Sequence, residues 1–373
     1  GSEMCIRDRL GGTGTLSSDI MKLSLEKGYD VSILNRGNNN ERVDNRVSIH
    51  KANLYNIETV IQTLEGKSYE VIIDFFSRTA ENIERLYSVL SNKCIQYIFI
   101  SSACVYCRDS EDKTFITEQT RKPNILWQYN IQKYEAEQIL ITANRGSGCY
   151  YTIVRPYITY NDIRIPLGIA PAHKYHRTII ERIVSGKPMF IWNGGNNYCT
   201  LTHTIDFAEA VVGLFLNEKA QNEDFHITSD YNYRWRDVIL ALYKILNQTP
   251  NIVDLPVEKI VNCLPEYKNE LLGDRCLNAL FDNSKIKAAV PNLIFKISLE
   301  EGLKRVVDQY RAELNFYYDF KFDARIDRML SSCGVKKLCF IPYTKCTSNA
   351  KVQYFIFRYL PLKLANKVWS FLK

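Results

Sequence analysis

No run of eighteen consecutive apolar residues occurs in the 373-residue chain, so no segment reads as a membrane-spanning helix. The N-terminus lacks the apolar core of a secretory signal, which sets the expectation of a cytoplasmic protein. Eleven cysteines do not make a secreted disulfide framework, because an odd number leaves one unpaired, and they read as free thiols. The C-x-x-C pair Cys104 and Cys107 has no second pair to complete a metal site; small residues ending a buried strand account for it, and no metal is expected. Internal repeats and low-complexity tracts are absent. Acidic residues are missing from one region: residues 331–373 hold eight Lys or Arg and no Asp or Glu. The net charge of +7 therefore belongs to this tail and says nothing about the body of the chain.

Hydrophobic content of 46% and charged content of 24% are those of a globular protein. Continuous apolar, β-branched and aromatic runs at 29–36, 70–77, 95–102 and 150–156 read as strands covered on both faces. Helical patterns lie between them at 14–27, 56–64, 79–91 and 126–144. This alternation predicts an α/β, doubly wound parallel sheet. Beyond about residue 165, helices near 173–185, 205–217, 234–247 and 298–314 surround short strands at 188–192 and 224–228. The expected organisation is a nucleotide-binding domain over 1–165, a smaller α/β substrate lobe over 166–320, and a basic extension over 321–373.

The stretch Gly11-Gly12-Thr13-Gly14-Thr15-Leu16-Ser17 opens an amphipathic helix. Gly11 permits a tight turn and Gly14 a close approach of backbone to a pyrophosphate, while Thr15 and Leu16 lead into the helix N-terminus with its free N–H groups. A plain glycine-rich turn would look the same. The next strand ends in Asn35-Arg36: Asn35 can bond a ribose hydroxyl, and Arg36 can pair with a 2′-phosphate or cover an adenine. NAD and NADP both remain open, with a lean to NADP.

Ser102 closes the strand within ISSACVY, and Tyr129 and Lys133 form Y-x-x-x-K on a predicted helix. Residues i and i+4 share a helix face, so the Lys133 ammonium lies beside the Tyr129 phenol and favours its phenolate. Ser102 can hydrogen-bond the same substrate oxygen. Glycine turn, serine strand and Tyr–Lys helix together read as a site that moves a proton at a substrate oxygen beside a bound dinucleotide.

With these segments, and with IVRPYITY, GKPMFIW, LTHTIDFAEAV, FHITSD and FDNSKIK, the chain from Gly11 to about residue 314 resembles the extended short-chain dehydrogenase/reductases, the NAD-dependent epimerase/dehydratases. The resemblance implies a Rossmann domain with a C-terminal substrate lobe, NAD or NADP, a homodimer, and hydride transfer at a sugar carbon. It implies Tyr129 as acid/base, Lys133 as holder of the nicotinamide ribose and Ser102 as binder of the reacting oxygen. It also sets Arg155-Pro156 beside the nicotinamide and Asn53-Leu54 at the adenine.

Two departures narrow the chemistry. Sugar-nucleotide dehydratases of the family carry Asp-Glu after the catalytic Ser or Thr; Ala103-Cys104 stand here, which disfavours dehydration. Cys199 stands where many nucleotide-sugar members place an arginine for the substrate diphosphate, leaving Lys174, Arg177, Arg236 and Arg275 as substitutes, or a substrate without a diphosphate. His203, just before a helix, reads as structural. The expected activity is a sugar epimerase, or a keto-reductase, on a sugar or nucleotide-sugar. A non-catalytic NAD(P)- or RNA-binding protein is the alternative, and retention of Ser102, Tyr129 and Lys133 argues against it.

After Pro361 the tail suits an amphipathic helix with Leu364, Val368 and Phe371 near one face and Lys363, Lys367 and Lys373 elsewhere. Peripheral contact with the inner membrane face, in surface-polysaccharide synthesis, and docking on the protein's own body are both open. At the other end, Arg7-Asp8-Arg9 fit poorly in a central strand, and Gly1-Ser2 resembles a cloning remnant. Residues 1–10 are therefore expected to be non-native, in place of an apolar strand directly before Gly11.

Overall fold

Seven parallel strands form the main sheet, in the order Glu223–Ile227, β6 (Tyr150–Pro156), β5 (Cys94–Ile100), β4 (Tyr69–Asp74), β1 (Glu3–Arg7), β2 (Asp30–Asn35), β3 (Ser48–Lys51). The computed structural model describes residues 15–36, 43–166, 176–312, 318–336, 338–341 and 348–372, and the backbone of 3–7. Gly11, Gly14 and Lys174 lie outside the described residues.

Side-chain alternation on these strands builds two cores. Ile33, Ile73, Ile98 and Val154 enter one cluster with Ile20, Phe207 and Phe225. Their neighbours Leu34, Ile72, Phe99 and Ile153 enter the other, with Leu86 and Leu140. Helices α1 (Ser17–Glu26), α2 (Ile57–Thr63), α3 (Ala80–Leu90) and α4 (Gln128–Ala143) supply the crossovers. Asn56 caps α2 by accepting the Glu58 N–H at 3.1 Å.

The strand order departs in both directions from β1, so the carboxyl ends of β1 and β4 bound a topological switch point, where open α/β sheets bind ligands. That first strand differs from expectation. It lies at Glu3–Arg7, with Met4 level with Val31 on one side and Val71 on the other. The strand is therefore displaced upstream of the expected position, and of the three consecutive charges only Arg7 falls within it.

The described chain divides into two compact units. The first comprises Gly1–Asn161, Thr200–Asn232 and Leu277–Ile297, and the second Asp162–Cys199, Tyr233–Cys276 and Ser298–Lys373. Residues 200–232 and 277–297, read from sequence as part of the smaller lobe, thus cluster with the first unit. The cause is local: Glu223–Ile227 pairs with β6 along five residues and extends the sheet.

In the second unit, strands Met189–Trp192 and Ile252–Leu255 pair in parallel. The basic extension belongs to this unit as three helices, Phe320–Ser331, Ser348–Tyr359 and Leu362–Phe371. Fully buried Arg182 donates to Asp327 Oδ1 at 2.7 Å and to Asp323. Lys187 Nζ donates to Asp323 Oδ2 and Asp327 Oδ2, both at 2.7 Å. Two cations thus meet two carboxylates, and the Tyr354 hydroxyl adds a bond to Asp327. Apolar packing of Phe320, Ala324, Ala350, Tyr354, Phe357 and Ala365 completes the attachment.

Candidate active site

Lys133 projects from α4 toward the carboxyl ends of two strands. Its Nζ donates to the Ser77 carbonyl just beyond β4 and to the Ile100 carbonyl at the end of β5, each at 2.8 Å. Buried, and 4.8 Å from the Phe99 ring centre, the ammonium ties the helix to the sheet at the point where Ser102 leaves it. The Ser102 Oγ accepts the Cys104 N–H at 3.2 Å, fixing the turn after β5. One turn before Lys133, the half-buried Tyr129 ring packs on Trp127 at 4.9 Å. Arg78, next in chain to Ser77, sets its guanidinium carbon 5.0 Å from the Tyr129 ring centre. The Lys133 tether and the Arg78 contact therefore join one helix to one loop, with Ser102 two residues beyond the Ile100 anchor.

Beneath these groups runs a buried polar network. Glu137, one turn after Lys133, accepts Ser101 Oγ at 2.5 Å and both Arg155 Nε and Nη2, at 2.8 and 2.7 Å. Arg155 also reaches the Tyr106 hydroxyl at 2.8 Å and Asp224. Burial works against the Arg155 charge, but Glu137, Tyr106 and Asp224 outweigh it and hold its pKa well above the ordinary value. Burial pushes the Tyr106 phenol up and the His226 imidazole down to about 4, even with Glu118 Oε1 3.3 Å from Nδ1. The Arg155 side chain is thus committed to holding Glu137, while Pro156 stands half-buried at the end of β6.

The residues present fit a dinucleotide. Leu16, the residue before α1, makes no side-chain cap. Ser77 Oγ and both amide atoms of Asn130 are buried with no hydrogen-bond partner, on the loop that binds Lys133 and on the helix that bears it. Asn35 ends β2 half-buried, and Arg36 after it is exposed. Exposed Asn53 accepts the Tyr55 N–H at 3.1 Å, and Leu54 packs in the core cluster that includes Ala52 and Phe76. His203 caps the helix Thr204–Gly213, accepting the Ile205 N–H at 3.3 Å. Cys104 is buried and Cys107 Sγ lies 3.2 Å from the Pro123 carbonyl; no metal-holding group occurs among the described residues.

In the second unit, burial raises the Cys199 thiol, and the nearby Arg275 works against that shift. Arg275 pairs with Glu270 and Asp274. Arg177 is engaged with Glu181 and the Tyr310 carbonyl, and Arg236 is exposed. Arg164, absent from the sequence-based candidates, has its pKa lowered by burial and by Arg275. Arg78 and Asn130 were missed as well: Arg78 belongs to no motif, and Asn130 fills an unspecified position between Tyr129 and Lys133. Glu137 had a signal, because it extends the spacing of four that joins Tyr129 to Lys133.

The NAD dependent epimerase/dehydratase family matches residues 10–228, more than half of the chain. The protein belongs to this family of extended short-chain dehydrogenase/reductases, whose cofactor is NAD or NADP.

Among particular relatives, chloroplast stem-loop binding protein of 41 kDa b from Arabidopsis thaliana is 25% identical over 234 residues, 59% of this chain and 58% of that protein. The match thus spans little more than half of the relative. UDP-glucuronic acid 4-epimerase from Bacillus cereus superposes with a TM-score of 0.65 at 16% identity, covering 83% of this chain and 99% of that one. UDP-glucose 4-epimerase from Thermotoga maritima gives 0.64 at 20%, covering 84% and 100%. dTDP-glucose 4,6-dehydratase from Bacillus anthracis gives 0.64 at 16%, covering 84% and 97%. These likenesses establish the fold. No helix among the described residues is long and apolar enough to cross a membrane.

Proposed function

We propose that the protein epimerises a sugar, most simply a nucleotide-linked one, by reversible oxidation of a ring carbinol through a keto intermediate, or reduces such a ketone. The observation that carries this reading is the tether of Lys133 to the carbonyls of Ser77 and Ile100, which sets Tyr129 and Ser102 at the same edge of the sheet. When bound, the dinucleotide takes up and returns a hydride. Tyr129 accepts the hydroxyl proton as the carbonyl forms and returns it when the hydride comes back. Ser102 orients the reacting oxygen, and Lys133 favours the phenolate and holds the ribose. Ala103-Cys104 supply no carboxylates after Ser102, so water elimination is not part of the reading.

Arg36 supports NADP, and a homodimer is expected from the family. Proton NMR of full-length protein with UDP-glucose or UDP-glucuronic acid tests the reading. Wild type should interconvert C4 epimers without added reductant, or reduce a keto-sugar with NADPH, and Tyr129→Phe should do neither. No turnover by wild type under either condition would overturn it.

The Arabidopsis relative's name, together with the basic tail, supports a second reading as an RNA-binding protein. Salt-sensitive binding to an RNA hairpin with no sugar turnover would favour it.

A further inference from the structure

The last two helices dock on one face and leave the other uncovered. On Ser348–Tyr359, Ala350, Tyr354 and Phe357 are buried, whereas Val352, Phe355 and Tyr359 form an exposed stripe at i, i+3, i+7. On Leu362–Phe371, Leu362, Ala365 and Trp369 meet the cluster beneath. The stripe read from sequence as the apolar face, Leu364, Val368 and Phe371, is therefore the outer one; Phe371 is 79% exposed and Leu364 46%. Exposed Lys351, Lys363 and Lys367 flank these apolar residues.

We infer that this outer face docks on an anionic lipid bilayer. Charge complementarity selects that occupant, because residues 331–373 carry eight cations and no acid. A second copy of the same face would bring like charges together. RNA would use the lysines but gain little from Val352, Leu364 and Val368, which neither stack nor hydrogen-bond. Apolar side chains bordered by lysines suit the headgroup–acyl boundary, where the chains enter the hydrocarbon and the ammonium groups meet lipid phosphate. This inference is independent of the reaction proposed above. The docked faces and the Tyr354–Asp327 bond hold both helices to the body, so the surface is presented without unfolding.

The test is co-sedimentation of full-length protein with vesicles of pure phosphatidylcholine or of phosphatidylcholine with phosphatidylserine. Wild type should sediment with the serine-containing vesicles and release as salt rises. Leu364→Ser/Phe371→Ser and Lys363→Glu/Lys367→Glu should each lower the bound fraction by about tenfold or more. Neither should change the melting temperature, since all four side chains are exposed. Equal binding to both vesicle types, or equal binding by wild type and the serine variant, would overturn the inference. So would loss of a dimer by the serine variant, which assigns the face to a second copy. Binding to an RNA hairpin in place of vesicles assigns it to nucleic acid.

Discussion

The Arg78 guanidinium lies over the ring of Tyr129, 5.0 Å from its centre, and pairs with no carboxylate among the described residues. A cation on the ring face stabilises negative charge on the phenol. Arg78→Ala is therefore expected to lower turnover at neutral pH by about two- to fivefold, with recovery as pH rises. Arg78→Lys should restore part of the loss. A pH–rate profile of the three proteins checks this, and a uniform loss at every pH would assign Arg78 to folding alone.

Lys133 and Tyr129 should separate in a stability measurement. Lys133→Met removes the donor to two main-chain carbonyls in a buried place and should cost about 1–3 kcal/mol of folding free energy as well as activity. Tyr129→Phe removes one hydroxyl from a half-buried ring and should stay within about 1 kcal/mol of wild type while abolishing turnover. Urea denaturation of both variants is the readout.

His226 gives the fold an acid-sensitive point. Burial lowers its pKa to about 4 from the 6.5 of an unfolded chain, so between these values the unfolded state binds the extra proton. Stability is fully present above about pH 6.5 and falls as pH drops toward 4, by up to about 1.4 kcal/mol per unit. Glu118, Tyr106, Arg155, Asp224 and Asp282 surround the ring and share in the total. His226→Gln should flatten the stability profile across this window in thermal melts from pH 4 to 7.

Asp327 should matter more than any exposed charge of the tail. It meets Arg182, Lys187 and Tyr354, all buried. Asp327→Ala leaves two buried cations short of a partner and should destabilise by about 3–5 kcal/mol. Tyr354→Phe loses one charge-assisted bond and should cost about 1.5–3 kcal/mol. A comparable loss from Lys304→Ala, whose partner Asp308 is exposed on the same helix turn, would contradict the assignment.

Strand–helix alternation made the sheet legible, because β2, β4, β5 and β6 carry apolar residues to both faces. The pair proposed for proton transfer, Tyr129 and Lys133, stands out in sequence as a local spacing of four, and Ser102 as the end of an apolar run. β1 was not legible: Glu3–Arg7 holds charges at both ends, and only its pairing with β2 and β4 defines it. Arg78 and Asn130 were equally hidden, because a side chain that meets Tyr129 or lacks a partner inside the fold leaves no periodic trace in sequence. For the tail helix the sequence showed the stripe of Leu364, Val368 and Phe371 and left open whether it faces the body or a membrane. Leu362, Ala365 and Trp369 form a second, less apolar-looking face, and it is the one that packs.

The chain order of the seventh strand bears on how the protein is made. β6 ends at Pro156, but its outer neighbour begins at Glu223, after an excursion into the second unit. At ribosomal rates of about 5–20 residues per second, that neighbour follows roughly 3 to 13 s later. For that interval the nascent sheet presents β6 as an unpaired edge, open to another nascent chain or to a chaperone. Pairing of Glu223–Ile227 with β6 then covers that edge.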